Sequence, residues 1–354
     1  MKVKNHLITL TECGYYCADA DVYVDPWRSV DFAVITHAHS DHARSGMKHY
    51  LAHKDSEEVL RLRLGKSISL QTVGYGESVW RNGVEITLYP AGHVPGSAQV
   101  RLRKGGDCWV VTGDYKTVGD GLSPSFEPVK CDTIITESTF GLPVYQWMDQ
   151  RLVFEEINQW WQDCKNAGEF AVLSTYSLGK AQRVMKYLDR GIGEIFCHSA
   201  VAETNAALER QGYEFGDWQA LASVSVRGKK QLSTLQESLP AGSLIVCPPA
   251  ALESNLVAGL GNYQTASCSG WMQLRGRRRW GNLDRGFVLS DHADWSQLND
   301  AIRWSGAENV YVTHGYSEIF ARYLREEKGL NAATVSRLRT DEFSLDFMEK
   351  GEDG

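Results

Sequence analysis

Residues 36–42 read THAHSDH and directly follow a short apolar run. Residues i and i+2 of an extended segment point the same way, so His37 and His39 can offer two imidazole nitrogens to one metal ion. Asp41 and His42 lie past the turn and are free to face a second ion. Two ions separated by roughly 3.5 to 4 Å are the usual arrangement for hydrolysing phosphate esters. The segment therefore predicts a dinuclear metal site, and the alternative is an accidental, solvated cluster of histidines.

The pattern HxHxDH after an apolar strand resembles the signature of the metallo-β-lactamase fold. This resemblance implies three further ligands downstream. The matching residues are His93 in AGHVPGS, Asp114 at the end of CWVVTGD and His314 in NVYVTHG. The resemblance distributes seven ligands over two ions: His37, His39 and His93 on the first, Asp41, His42 and His314 on the second, and Asp114 on both.

The composition agrees with a folded enzyme that has room for two domains. The chain has 354 residues, 43% of them hydrophobic, and a formal net charge of −7. No run of about 20 apolar residues is present, and the opening MKVKNHLITLTECG lacks the apolar region of a signal peptide. A cytoplasmic location is therefore expected. The eight cysteines are scattered without a CxxC pair, which indicates reduced thiols.

Positive charge is concentrated in one segment, LRGRRRW at residues 274–280. Its four arginines are Arg275, Arg277, Arg278 and Arg279. Such a segment can neutralise several phosphates while a tryptophan offers a stacking face, which is the chemistry of a single-strand channel. The alternative is a solvated basic loop, or arginines paired with the abundant carboxylates. Beside a metal site, nucleic-acid binding is the favoured interpretation.

The pattern of elements changes along the chain. Short β-type segments predominate up to about residue 140, and alternating strands and helices follow, which predicts βαβ crossovers and a parallel sheet. The first pattern then resumes with two strands, each followed by a helix. The predicted domains are a core at 1–145 and 283–340, an inserted cap at 146–282 and an acidic tail at 341–354.

An α/β cap inserted into a metallo-β-lactamase core resembles the β-CASP nucleases. The resemblance implies an acidic residue before the insert, which Glu137 in ITESTFG supplies. It implies a histidine after the insert, which His292 in SDHAD supplies, and a phosphate-binding turn that opens the cap, which STYSLGK at 174–180 matches. The expected fold is an α/β protein, an αββα sandwich with an inserted β-CASP cap.

These motifs predict roles for individual residues. A carboxylate beside an imidazole raises its pKa, so His292 is the predicted general acid and Glu137 its orienting partner. Together with Asp41 they form the predicted catalytic set. Ser177, Gly179 and Lys180 would hold phosphate at a helix N-terminus. The alternatives are an ordinary capping carboxylate, a plain histidine hydrogen bond and an ordinary capped helix.

The predicted function is hydrolysis of single-stranded DNA by an exonuclease in DNA repair, from the 5′ end. The segment SGW at 269–271 with the arginines resembles bacterial DNA exonucleases encoded beside an ATP-dependent DNA ligase and a helicase, which are the expected functional partners. A histidine at position 314 is typical of RNA-processing members of the family. A β-CASP ribonuclease, similar to messenger RNA 3′-end processing nucleases, is therefore the alternative.

The mixed nitrogen and oxygen ligands predict two divalent ions per chain, with Zn²⁺ first and Mn²⁺ second. Two other functional classes remain open. A small-molecule hydrolase would share the ligands without needing Glu137, His292 or the arginine segment. A non-catalytic scaffold should have lost ligands.

Overall fold

The computed structural model describes residues 6–221, 239–252, 259–274 and 283–339. Contacts between residues divide the chain into two compact units. The core unit consists of Met1–Gly119, Ser123–Pro143 and His292–Gly354, and the inserted unit consists of Asp120–Leu122 and Val144–Asp291. The domain boundaries expected from the sequence remain a prediction, since a domain is a part of the chain that can fold alone.

The strands of the described residues, in chain order, are β1 (Thr9–Leu10), β2 (Tyr15–Cys17), β3 (Val22–Val24), β4 (Phe32–Val34), β5 (His49–His53), β6 (Leu70–Val73), β7 (Ser78–Arg81), β8 (Val84–Pro90), β9 (Ala98–Lys104), β10 (Asp107–Val111), β11 (Thr133–Glu137), β12 (Phe170–Ser174), β13 (Ile195–Cys197), β14 (Gln219–Ala220), β15 (Leu244–Cys247), β16 (Tyr263–Cys268), β17 (Arg285–Phe287), β18 (Asn309–Thr313) and β19 (Asn331–Thr334). The helices are α1 (Glu57–Leu64), α2 (Gln150–Asn166), α3 (Lys180–Tyr187), α4 (Ser199–Glu209), α5 (Pro249–Leu252), α6 (Trp295–Ser305) and α7 (Ser317–Glu326).

The core unit contains two sheets. In the first, the strand order is β1-β2-β3-β4-β5-β6, antiparallel from β1 to β3 and parallel from β3 to β6. In the second, the order is β19-β18-β11-β10-β9-β8-β7, and β10, β11, β18 and β19 are mutually parallel. Parallel neighbours end at the same edge of a sheet, so the loops after these strands meet.

The two sheets of the core unit share an apolar core. Leu51 of the first sheet and Val111 of the second belong to one buried cluster. Because side chains alternate along a strand, Val110 lies on the opposite face of the second sheet. There it joins a second cluster with Leu298 of α6 and Phe320 of α7. The core unit is therefore a two-sheet sandwich with helices packed outside the second sheet, which confirms the layered α/β architecture expected from the sequence.

The inserted unit is built on one six-stranded sheet of order β14-β13-β15-β12-β16-β17, in which every pairing is parallel. The central strand β12 reads FAVLS and is buried along its whole length. Continuous apolar runs of this kind are typical of parallel strands covered on both faces. The parallel α/β architecture expected for the insert is confirmed.

Helix α2 begins after Asp149, whose side chain accepts a hydrogen bond from the backbone N–H of Arg151. Its buried residues recur at helical spacing: Val153, Phe154, Ile157, Trp160, Trp161 and Cys164.

Within the ranges that the structure describes, no helix combines the length and the apolar character needed to cross a bilayer.

Candidate metal centre

Asp114 is common to three groups of side chains whose donor atoms lie within 4.8 Å of one another. The first group adds His37, His39 and His93, the second adds His42 and His314, and the third adds Glu137 and His292. All of them belong to the core unit. The structure thus brings together every ligand predicted from the sequence except Asp41.

A single carboxylate oxygen lies among the imidazoles. Asp114 Oδ2 is 3.5 Å from His37 Nε2, 3.8 Å from His93 Nε2 and 3.4 Å from His42 Nε2. His39 Nδ1 completes the first group, at 3.0 Å from His37 Nε2 and 3.1 Å from His93 Nε2. An oxygen placed between two sets of ring nitrogens is suited to bridging two cations.

The ends of parallel strands assemble this cluster. Asp114 comes three residues after β10, Glu137 ends β11, and His314 directly follows β18. From the first sheet, His37 comes three residues after β4. His314 has a φ of 56°, a conformation that residues other than glycine adopt at some cost. The backbone at His314 therefore adopts an unfavourable conformation at the point where its side chain joins the cluster.

Sequence reasoning missed Asp25, a buried carboxylate that directly follows β3. Its Oδ2 is 2.7 Å from His42 Nδ1 and accepts a 2.5 Å hydrogen bond from Thr36 Oγ1. Its Oδ1 accepts a 2.8 Å bond from the Thr36 backbone N–H. Thr36 Oγ1 also lies 3.1 Å from His37 Nδ1. The available signal was an aspartate directly after a short apolar strand, a position like that of Asp114, which the resemblance implied.

The contact with Asp25 holds the proton of His42 on Nδ1 and leaves Nε2 facing the cluster. His42 Nε2 is buried and has no hydrogen-bond partner among the described residues. Leaving such an atom unsatisfied costs about 1–3 kcal/mol. A cation bound by His42 Nε2 would remove this cost, so the donor atoms fit a divalent metal.

The ionisation of the cluster follows from burial and mutual charge. Burial, reinforced by the neighbouring His42, lowers the pKa of His37 well below its ordinary value, so this ring is neutral and able to bind metal. Burial also lowers the pKa of His42, but the carboxylates of Asp114 and Asp25 outweigh it and raise the pKa well above the ordinary value, so a cation would bind Nε2 in exchange for a proton. Burial opposes ionisation of Asp114, yet His42 and His292 hold its pKa well below the usual range.

Glu137 and His292 form a pair beside Asp114. His292 Nδ1 lies 2.9 Å from Glu137 Oε2 and 3.1 Å from Oε1. The carboxylate also accepts hydrogen bonds from the backbone N–H of Tyr115 and from Thr139 Oγ1, at 2.8 and 2.5 Å. The ring centroids of His93 and His292 are 4.6 Å apart. A buried, fully engaged carboxylate therefore fixes the orientation of His292 next to a predicted metal ligand.

Asp41 lies at the rim of the cluster. Its side chain is 64% exposed, and its Oδ2 is 3.8 Å from His42 Nε2. It belongs to none of the three donor groups found among the described residues. Its roles as a metal ligand and catalytic residue stay predictions.

The turn predicted to bind phosphate opens α3 in the inserted unit. Gly179 has a φ of 87°, and its backbone N–H donates to Gln182 Oε1 at 2.7 Å. Lys180 is buried, with its Nζ 3.2 Å from Asp291 Oδ2. The same carboxylate pairs with Arg183 Nη1 at 3.3 Å. The ammonium thus belongs to an internal ion-pair network, and phosphate binding by Ser177, Gly179 and Lys180 stays a prediction.

The arginine segment predicted to bind nucleic acid lies outside the described residues, and its members are Arg275, Arg277, Arg278 and Arg279.

No protein-family model matches the chain. Over 91% of its length the chain is 28% identical to a probable DNA ligase of Opitutus terrae, and it covers 30% of that protein. Over 34% of its length it is 32% identical to endoribonuclease YSH1 of Kluyveromyces lactis and 31% identical to cleavage and polyadenylation specificity factor subunit 3 of Dictyostelium discoideum. It spans 16% of each of these two relatives.

The fold is also similar to that of a solved structure. It is the crystal structure of a protein of unknown function from Enterococcus faecalis V583, matched with a TM-score of 0.54 at 13% identity. The match covers 84% of this chain and 76% of that chain. A likeness at this identity concerns the fold alone.

A two-sheet sandwich with histidines and aspartates at its strand ends defines a protein of the metallo-β-lactamase fold. The inserted parallel α/β unit and the similarity to these relatives support the assignment to the β-CASP family within that fold.

Proposed function

We propose that the chain is a metal-dependent exonuclease that hydrolyses the phosphodiesters of single-stranded DNA in DNA repair, from the 5′ end. The observation that carries the hydrolytic part is the position of Asp114 Oδ2, within 3.8 Å of His37 Nε2, His42 Nε2 and His93 Nε2. When bound, two divalent ions neutralise phosphate charge and lower the pKa of the attacking water. Zn²⁺ suits the imidazole and carboxylate donors best, and Mn²⁺ accepts the same set.

The protein's own residues supply orientation and a proton. In this proposal, Asp114 would contribute its carboxylate to both ions, while Asp25 orients His42 through its Nδ1. His292 protonates the leaving oxygen. Glu137 supports this role because its carboxylate favours the protonated imidazole and restrains the ring.

The choice of DNA rests on the relatives. The similarity to a probable DNA ligase extends over 91% of the chain, whereas the similarity to endoribonuclease YSH1 extends over 34%. We also propose an ATP-dependent DNA ligase and a helicase as functional partners; the match to a probable DNA ligase supports the ligase part of this proposal. RNA is the second candidate substrate, favoured by the endoribonucleases among the relatives and by the histidine at position 314.

The test is digestion of end-labelled single-stranded DNA and RNA of identical sequence, with Zn²⁺ or Mn²⁺ added to metal-depleted protein. We expect DNA to be trimmed, with a 5′ label released first as mononucleotides. Asp114→Asn, which keeps the volume of the side chain, serves as the inactive control. Preferential digestion of RNA would move the assignment to the second candidate. Circular single-stranded DNA cut as fast as the linear form would exclude exonuclease action.

A further inference from the structure

A basic groove of about 630 Å³ lies on the core unit. Three arginines line it, Arg28, Arg44 and Arg63, together with Ser29, Ser40 and Trp27. None of the residues that line it is acidic. We call this surface the arginine groove. It differs from the arginine segment noted in the sequence, which belongs to residues 274–280.

The three guanidinium groups differ in the partners that they contact within the protein. The exposed Arg44 side chain takes part in no hydrogen bond or ion pair within the described part of the chain. Arg28 pairs with Glu12 at 2.6 Å, but both side chains are more than half exposed, so exchange of this partner costs little. Arg63 donates to the backbone oxygen of Ala38. Burial lowers the pKa of Arg63, opposed by Asp41, and the group still remains charged because an arginine pKa starts so high.

The arginine groove adjoins the candidate metal centre along the chain and in space. Ser40 and Arg44 flank Asp41 and His42 in the same loop. Trp27 lines the arginine groove and also a cavity of about 160 Å³ that Asp41, His42 and His314 line. Trp27 is 38% exposed. One aromatic side chain therefore borders both the basic surface and the space beside the ligands.

We propose that the arginine groove binds the phosphate backbone of the nucleic-acid strand and that Trp27 stacks on one of its bases. The inference rests on the proposed function, which it extends to a specific binding surface. Arginine presents a planar fork of donors that matches phosphate geometry, and an exposed indole stacks on any base. Because the chain has a net charge of −7, it can attract a polyanion only where positive charge is concentrated locally, as it is in the arginine groove.

The experiment measures single-stranded DNA binding by Arg44→Ala over a range of salt concentrations. Losing one phosphate contact should weaken binding about tenfold and lower the slope of log Kd against log salt by about 0.7. Arg322→Ala is the matched control, because Arg322 on α7 is 69% exposed and its loss changes the net charge equally. Glu12→Gln, which frees Arg28, should tighten binding.

Hydrolysis provides a second readout. Arg44→Ala should lower kcat/KM for a DNA strand more than for bis(p-nitrophenyl) phosphate, a diester with a single phosphate and no neighbouring backbone phosphate for the arginine groove to bind. If Arg44→Ala and Arg322→Ala have the same salt slope while the wild-type protein digests DNA, the arginine groove is not the binding surface and the proposed function stands. If the wild-type protein hydrolyses neither DNA nor RNA, the proposed function itself fails.

Discussion

The Nδ1 atom of His42 lies 2.7 Å from Oδ2 of Asp25, a buried carboxylate from a neighbouring strand end. This contact decides which ring nitrogen of His42 faces the metal centre. The same aspartate accepts two hydrogen bonds from Thr36, whose hydroxyl lies 3.1 Å from His37 Nδ1. One carboxylate thus helps to orient a histidine of each predicted metal position, which is the usual task of the residues behind metal ligands.

Asp25→Asn should therefore weaken metal binding without removing a ligand. The amide keeps the size of the side chain but loses the charge that holds the proton on His42 Nδ1. We expect the affinity for the second ion to fall about 10–100-fold. Titration of the metal-depleted protein with Zn²⁺ measures this, with Asp31→Asn as a control at an exposed aspartate paired to Lys48. Equal affinities in the two variants would contradict the orienting role.

The contrast between Asp25 and the ligands of the THAHSDH motif explains what could be predicted from the sequence. His37, His39 and His42 are close in the chain, so local geometry alone indicates that they surround metal. Asp25 reaches His42 from another strand, and only tertiary packing makes that contact visible. The parallel insert was predictable because its strands are apolar runs with clear breaks, whereas the sandwich was expected from the resemblance that the metal-binding motif carries.

Lys180 is a residue for which the local sequence favours a role while the structure shows a different contact. A lysine at the start of a helix after a strand favours phosphate binding when the sequence is considered alone. In the structure its ammonium is buried against Asp291, more than 100 residues further along the chain. Arg183, which pairs with the same carboxylate, carried no sequence signal. Ion pairs between distant residues follow from packing, and no local pattern encodes them.

Replacing the shared carboxylate should remove at least one ion. Asp114→Ala deletes the only oxygen donor common to the three groups, so we expect loss of nuclease activity and of at least one ion per chain. Elemental analysis of the purified variant measures the metal content, and circular dichroism checks that it is folded. Full activity in Asp114→Ala would be incompatible with a dinuclear centre.

The burial of His53 leads us to expect that the folded protein loses stability in mild acid. It is buried, stacks on Tyr75 with ring centroids 3.5 Å apart, and burial lowers its pKa to about 4. An unfolded histidine has a pKa near 6.5, so the unfolded chain takes up the proton first as the pH falls. The stability contributed by neutral His53 is therefore present above about pH 6.5 and is lost progressively down to about pH 4.

The measurement is urea unfolding at pH 7 and pH 5 in the presence of a chelator. Between these values the free energy of unfolding should fall by about 2 kcal/mol more in the wild-type protein than in His53→Gln. The chelator removes the contribution of metal release from both proteins. His49→Gln, at the exposed end of the same strand, should retain the wild-type dependence. Identical pH dependence in all three proteins would show that His53 does not remain neutral in the folded state.

The last prediction concerns the proton that His292 is proposed to deliver. If His292 protonates the leaving oxygen, His292→Ala should keep its metals but lose at least about a hundredfold in kcat on DNA. The leaving p-nitrophenolate of bis(p-nitrophenyl) phosphate needs no proton, so the loss on that substrate should be smaller. Glu137→Gln should show the same selectivity to a lesser degree, because it keeps the hydrogen bond to Nδ1 while removing the negative charge. Equal losses on both substrates would instead assign His292 to positioning of the phosphate, and a loss of metal in either variant would make it part of the metal centre.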